Sequence, residues 1–374
     1  MEPWERVWID AEAFSEDVHS YINCTDCHGG QAVAEKDAAH TGLKPEVADD
    51  PETTCGQCHV DVAPYAKESL HNTLRGYDTA LYARSEPEHH PAIEEMQSNH
   101  CDSCHADCGD CHVSQPTSVG GGLVAGHVFN RTPSMSQNCT ACHGSRIKDE
   151  YYGAHEGIPS DVHFKQRMAC VDCHTGDEMH GMKMEDVNHR YDGAQEPDCQ
   201  SCHKIEMGTG DEEESEEENG IIREHVIHDE TLMSCQVCHS TTYINCIDCH
   251  VEQTEEGTAF FRVDEHFLGF YVGLNPNQTE ERPYKYVPLR HVPIAPDSFS
   301  FYGDDLLPNY EERPTWVYTT PHNIQRETPQ TERCQGCHGN DDIFLTRDKL
   351  SREERRANRD VIVDEAPSMF GLGN

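Results

Sequence analysis

Every cysteine of this chain lies in one repeated pentapeptide, Cys-x-x-Cys-His. The 20 cysteines pair as Cys24/Cys27, Cys55/Cys58, Cys101/Cys104, Cys108/Cys111, Cys139/Cys142, Cys170/Cys173, Cys199/Cys202, Cys235/Cys238, Cys246/Cys249 and Cys334/Cys337, with none left over. The residues that follow the pairs are His28, His59, His105, His112, His143, His174, His203, His239, His250 and His338. Histidine supplies 26 of 374 residues, so its recurrence at all ten places by chance has odds on the order of 10⁻¹². Any account of the thiols must therefore account for the imidazoles.

Three thiol chemistries fail that requirement. A disulfide framework uses the cysteines and ignores the histidines. Structural zinc draws four donors from Cys and His, but does not need His directly after the second Cys every time. Iron–sulfur clusters use cysteine runs and again leave His idle. Covalent attachment of haem c employs all three residues: the thiols bond to the macrocycle and the adjacent imidazole becomes the proximal iron ligand. The expected cofactor is ten haems c, with the ten motif histidines as proximal ligands.

Composition fits that expectation. Only 35% of residues are hydrophobic and 7% aromatic, which is thin for conventional cores at this length. Ten macrocycles would supply the missing apolar surface. The expected fold is a mostly irregular chain with short helices wrapped around a stacked haem core, with few strands. The formal charge of −41 argues against nucleic acid, which needs a basic surface, and against anionic membranes. No run of 18 apolar residues is present, so no transmembrane segment is expected. MEPWERVWID has neither the basic start nor the apolar run of a leader. Haem c is attached outside the cytoplasm, so the expected location is extracytoplasmic (periplasmic, cell surface or extracellular), with a signal peptide removed.

Along the chain, residues 1–210 form a haem-rich block with seven motifs. Residues 211–250 combine the acidic run DEEESEEENG (211–220), a solvated loop by composition, with a two-haem block. Residues 251–374 form a haem-poor segment rich in aromatics and prolines that carries the last haem. Its prolines interrupt every strand-like run, which favours an irregular or short-stranded segment. Ser351 and Glu354 read as a capping box, predicting a short helix over SREERRANRDV.

Each iron has a sixth position to fill, and 16 histidines lie outside the motifs. Histidine is the commonest metal ligand. The expected distal ligands are drawn from His19, His40, His71, His127, His163, His180, His189, His225, His228, His291 and His322. His89, His90, His100, His155 and His266 stand in reserve. His225 and His228 share one side of a helical turn yet diverge enough to reach two irons.

These motifs resemble those of the multihaem c-type cytochromes of bacterial and archaeal respiration. The resemblance implies bis-histidine, low-spin haems stacked into a continuous electron path, serving anaerobic respiration or extracellular electron transfer. Its implied partners are redox proteins or extracellular acceptors. In a filament-forming subset, the partner is a second copy, with haem contact between subunits. On this reading the chain carries electrons and is not an enzyme. The competing class is a multihaem reductase or oxidase of nitrogen or sulfur compounds with one open haem site. Relatives of that class mark the site with Lys in place of the motif His or a widened Cys spacing; all ten units here are Cys-x-x-Cys-His.

The tightest pair of motifs is CDSCHADCGDCH at 101–112. His105 and His112 are seven residues apart, at most roughly 25 Å even when extended. Two macrocycles so tethered must lie close together, and CQVCHSTTYINCIDCH at 235–250 is a looser version of the same spacer.

Overall fold

The computed structural model describes residues 2–369 apart from 45, 117–118, 183–186, 193–195, 204–222 and 229–230. The acidic run at 211–220 lies outside the described residues. The chain divides into two units, neither continuous in sequence. The first comprises residues 1–79, 97–144 and 169–196; the second comprises 80–96, 145–168 and 197–374. Six motifs fall in the first unit and four in the second, so the grouping cuts across the linear blocks expected from sequence.

Secondary structure in the first unit is a series of short helical segments, including one at each of its six motifs. The apolar side chains it buries, among the described residues, are only Ala48, Ala63 and Val187. Trp4, Trp8 and Tyr21 lie exposed. A segment of this size without a packed apolar interior cannot offset its conformational entropy from its own side chains.

The second unit is built differently. Strands β1 (Tyr243–Gln253) and β2 (Ala259–Gly269) form an antiparallel hairpin in register from Tyr243↔Gly269 to Gln253↔Ala259. Strands β3 (Tyr271–Leu274), β4 (Tyr286–His291) and β5 (Trp316–Tyr318) form a second antiparallel sheet with β4 in the middle. Val287, Leu289, Trp316, Leu345, Leu350 and Val361 make one apolar cluster. Val237, Val272, Phe344, Val363 and Ala366 make another. The prolines that argue against strands are accommodated at ladder positions that do not need them. Pro288 lies in central β4 opposite Val272, whose carbonyl turns instead to the Leu345 N–H at 2.8 Å. On its other side the Pro288 carbonyl accepts from Thr319 N, just past the end of β5, so the missing N–H falls at the margin of the ladder.

The helix expected over 351–361 is a succession of turns. Ser351 does cap Glu354 N at 3.3 Å, but tertiary bonds then take over. Asn358, fully buried, accepts from the N–H groups of Thr315 and Trp316 at 3.0 and 2.9 Å. Glu354 accepts from Thr315 Oγ1 at 2.6 Å and lies 2.8 Å from His291 Nε2. These bonds fix the segment against β4 and β5 in a shape that a regular helix would not allow. A second buried pair, Glu150 and Arg290, lies in the same unit, with Arg290 4.6 Å above the Tyr243 ring.

Burial alone would raise the Glu354 carboxyl, but the hydrogen bonds from His291 and Thr315 and the His291 charge outweigh it and hold the group at about 2. Its stabilisation is therefore complete above the ordinary carboxyl pKa of about 4.3 and fades as pH falls through about 2. Replacing Glu354 by Ala should cost about 3 kcal/mol near neutral pH by stranding a buried partner. Urea unfolding should show this penalty shrinking as the pH is lowered towards the native carboxyl pKa.

Candidate haem-ligand constellation

Cysteines at i and i+3 with histidine at i+4 occupy one face of a helical turn, and the motifs fold as such turns. The backbone N–H of the motif histidine donates to the carbonyl of the first cysteine at His59, His143, His174, His203 and His338, at 2.8–3.0 Å. The turns are closed from within. In CTDCH, CGDCH and CVDCH the aspartate before the second cysteine accepts from the N–H preceding the first. These bonds are Asn23 N to Asp26 at 3.2 Å, Asp107 N to Asp110 at 3.4 Å and Ala169 N to Asp172 at 2.7 Å. The ninth motif departs from this form: Cys246–His250 lies within β1, with Asp248 between its cysteines in the left-handed conformation (φ 54°).

Seven motif histidines each face a histidine from outside the motifs. In the first unit the pairs are His28–His127 at 5.9 Å between ring centres, His112–His180 at 6.1 Å, and His59–His19 and His143–His71 at 6.2 Å. In the second unit they are His203–His163 at 5.9 Å, and His239–His225 and His338–His228 at 6.1 Å. His225 and His228 thus reach two different motifs. Face-to-face stacked rings sit closer, as His19 and Phe129 do at 4.0 Å, whereas edge-on and tilted pairs such as Tyr286 and Phe344 reach 6.2 Å. The angles between the paired rings run from 23° to 81°, so no ring-stacking preference sets the distance. Two metal–nitrogen bonds of about 2.0–2.1 Å, plus roughly 1.1 Å from each nitrogen to its ring centre, give about 6.2 Å.

The donor set specifies what fits between them. Among the described residues, no group of three or more His, Cys, Asp or Glu is placed to hold a metal. Tetrahedral zinc needs four such donors. Two opposed imidazoles suit an ion whose equatorial positions a macrocycle fills, with a Cys pair beside one imidazole to hold that macrocycle. The residues present fit haem c at these seven places.

Ring nitrogens and charge states suit ligation. Nδ1 is engaged by Asn130 O in His112 (2.6 Å), Glu224 O in His228 (2.8 Å) and Gln325 O in His239 (3.1 Å), which leaves Nε2 as the nitrogen that could ligate a metal. Burial, then the neighbouring His143 and His174, press the His71 pKa down to about 4. Burial likewise lowers His28, His143, His180 and His225. A neutral imidazole is the ligating form.

Four more of the expected distal ligands make the following contacts. His40 is exposed, with Nδ1 2.6 Å from Lys36 O. His189 Nδ1 accepts from Tyr191 N at 3.3 Å. His322 donates its backbone N–H to Glu150 at 2.9 Å. His291 is buried, and its Nε2 is committed to Glu354. Of the other motif histidines, His174 has Nδ1 3.0 Å from Glu178 and His250 has Nε2 3.5 Å from Asp264. His105 stands at the end of the short turn Asp102–Cys104.

The structure also joins motifs to one another through their first cysteines. The thiols of Cys55 and Cys108, of Cys139 and Cys170, and of Cys199 and Cys235 lie beside one another. Cys58, Cys173 and Cys202 are exposed, and Cys142 is only half-buried. Each stands at the C-terminal end of its turn, three residues after the first cysteine. Cys202 there accepts from its neighbour Ser201 Oγ at 3.8 Å.

Sequence reasoning passed over two further residues, Asp17 and Asp161, which bond the rings of His19 and His163 at 2.7 and 2.9 Å. The signal present in the chain is the tripeptide Asp-Val-His, at both 17–19 and 161–163. No helix among the described residues is long and apolar enough to cross a membrane. No family model, curated protein or solved structure matches this chain.

Proposed function

We propose that this protein is a multihaem c-type cytochrome that carries electrons along ten covalently bound haems, mostly with bis-histidine ligation. The observation that carries the reading is the seven histidine pairs. Each joins a motif imidazole to a non-motif imidazole at 5.9–6.2 Å, whatever the angle between the rings. The scarcity of buried apolar side chains in the first unit supports it, because macrocycles would supply the interior. Haem supplies one-electron chemistry at iron. The chain's own residues anchor the macrocycle through the cysteine pairs, occupy the axial positions through histidine, and tune each site by burial and hydrogen bonds to the ligands. The anchors include Cys58, Cys173 and Cys202, whose exposure leaves them open to a macrocycle's edge. An iron held on both sides by imidazole leaves no place for a substrate, so the role is transfer rather than bond chemistry. An extracytoplasmic location and redox partners, including a second copy in a filament, belong to this reading.

The test is spectroscopic. The purified protein should contain ten irons per chain, match haem c in alkaline pyridine, give low-spin ferric signals and bind carbon monoxide slowly or not at all. A high-spin haem that binds carbon monoxide rapidly in the unmodified protein would favour the reductase or oxidase class. Replacing His71 by Ala should open one axial position and convert one low-spin haem to high spin. Replacing exposed His40 by Ala should leave the paramagnetic resonance spectrum unchanged.

A further inference from the structure

Two of the paired histidines are held in the same way by an aspartate two residues earlier. Asp17 Oδ1 accepts both the backbone N–H of His19 at 2.8 Å and its ring Nδ1 at 2.7 Å, while Oδ2 accepts the N–H of Phe129 at 2.8 Å. Asp161 Oδ1 accepts the backbone N–H of His163 at 2.7 Å and its Nδ1 at 2.9 Å. Its Oδ2 accepts the N–H of Ile324 at 2.7 Å. The carboxylates are 5% and 2% exposed, although the imidazoles keep about a third of their surface open. The first device lies wholly in the first unit and the second wholly in the second.

The acceptor matters because of what it does to the imidazole. His112, His228 and His239 present Nδ1 to neutral backbone carbonyls. A buried carboxylate is a stronger, charged acceptor. It draws the Nδ1 proton towards itself, raises the electron density at Nε2 and makes the ligand more basic. A more basic axial ligand favours ferric over ferrous iron, which lowers the potential. Three hydrogen bonds fix each carboxylate, and its burial limits screening by water. Glu178 gives His174 a carboxylate as well, at 3.0 Å, but as an i,i+4 side-chain contact without a bond to a remote segment.

We propose that Asp17 and Asp161 are positioning residues that set a low reduction potential at one haem in each unit, the haems ligated by His59 with His19 and by His203 with His163. The inference rests on the haem reading above and adds to it which sites lie at the reducing end of the spread. The alternative is a purely structural clamp, in which each aspartate ties its histidine turn to Phe129 or Ile324 without electronic effect.

A redox titration of the full-length haem-loaded protein, followed by electron paramagnetic resonance, separates the two. Asp17→Asn and Asp161→Asn keep the shape and remove the charge. In each variant all ten haems should be retained and one low-spin component should move to a higher midpoint. The expected change is about a tenfold fall in its oxidised-to-reduced ratio at fixed potential, which is 59 mV for a one-electron couple. Asp17→Glu and Asp161→Glu should return that component towards its original midpoint. Unmoved midpoints in both Asn variants with ten haems in place would overturn the proposal and leave the clamp. Should neither Asn variant accumulate, the unmodified protein decides. Its components with the narrowest spread of g values, the mark of an imidazolate-like ligand field, should be the last to be reduced; early reduction would overturn the proposal. A chain that purifies without haem would overturn the parent reading and this inference with it.

Discussion

Six Cys-x-x-Cys-His turns share a unit in which the buried apolar side chains, among the described residues, are two alanines and a valine. Burial of apolar surface is the main favourable term in folding, and the described residues of this unit supply little of it. What it has instead is a set of imidazoles opposed at a near-constant 5.9–6.2 Å, whatever the angle between the rings. On the haem reading, a unit organised around such spacings owes its shape to the groups that set them. That constraint accounts for its scarcity of regular structure. Each short turn presents two thiols and an imidazole, and long connections suffice to bring a second imidazole to the far side. The exposed Trp4, Trp8 and Tyr21 belong to the same unit, where there is no apolar side-chain interior to receive them.

The second unit mixes two ways of folding. Around β3, β4 and β5 it packs a conventional apolar core, with Leu289 and Val287 fully buried. Its other parts carry histidine pairs like those of the first unit. The two modes require different residues, and the composition is divided accordingly: aromatics and branched aliphatics concentrate in 243–366, cysteines in 24–250.

The local geometry of the motifs is legible in sequence because i, i+3 and i+4 define a helical face by themselves. Which motifs then meet is not: Cys55 lies by Cys108, Cys139 by Cys170 and Cys199 by Cys235, contacts between motifs that no local pattern indicates. At least seven of the eleven expected distal histidines stand opposite a motif histidine, though no local pattern matches partners such as His71 and His143, 72 positions apart. His291 has the apolar neighbours of a buried ligand, but a carboxylate 63 residues later takes its Nε2. That competition is tertiary and leaves no local mark. The strand through Pro288 is hidden for a related reason: whether a proline harms a ladder depends on which way its nitrogen faces, and that is fixed by the register. The turns at 351–361 show propensity and capping overridden by two inward hydrogen-bonding side chains, Glu354 and Asn358. Asp17 and Asp161 are readable as a repeated tripeptide, but their second oxygen reaches Phe129 and Ile324, which no local pattern indicates.

The contacts between first cysteines have a consequence for how such a protein is made. In the folded chain the thiol of Cys55 meets that of Cys108, Cys139 meets Cys170 and Cys199 meets Cys235, each pair drawn from different motifs. A polypeptide that collapsed to this arrangement in an oxidising compartment with its thiols still free would place cross-motif disulfides within easy reach. Each such bond would disable two attachment sites at once. On the haem reading, ligation must therefore run ahead of tertiary folding, motif by motif as the chain emerges. Maturation and folding then become one ordered process, in which a missed cofactor is a kinetic dead end rather than a vacancy to be filled later.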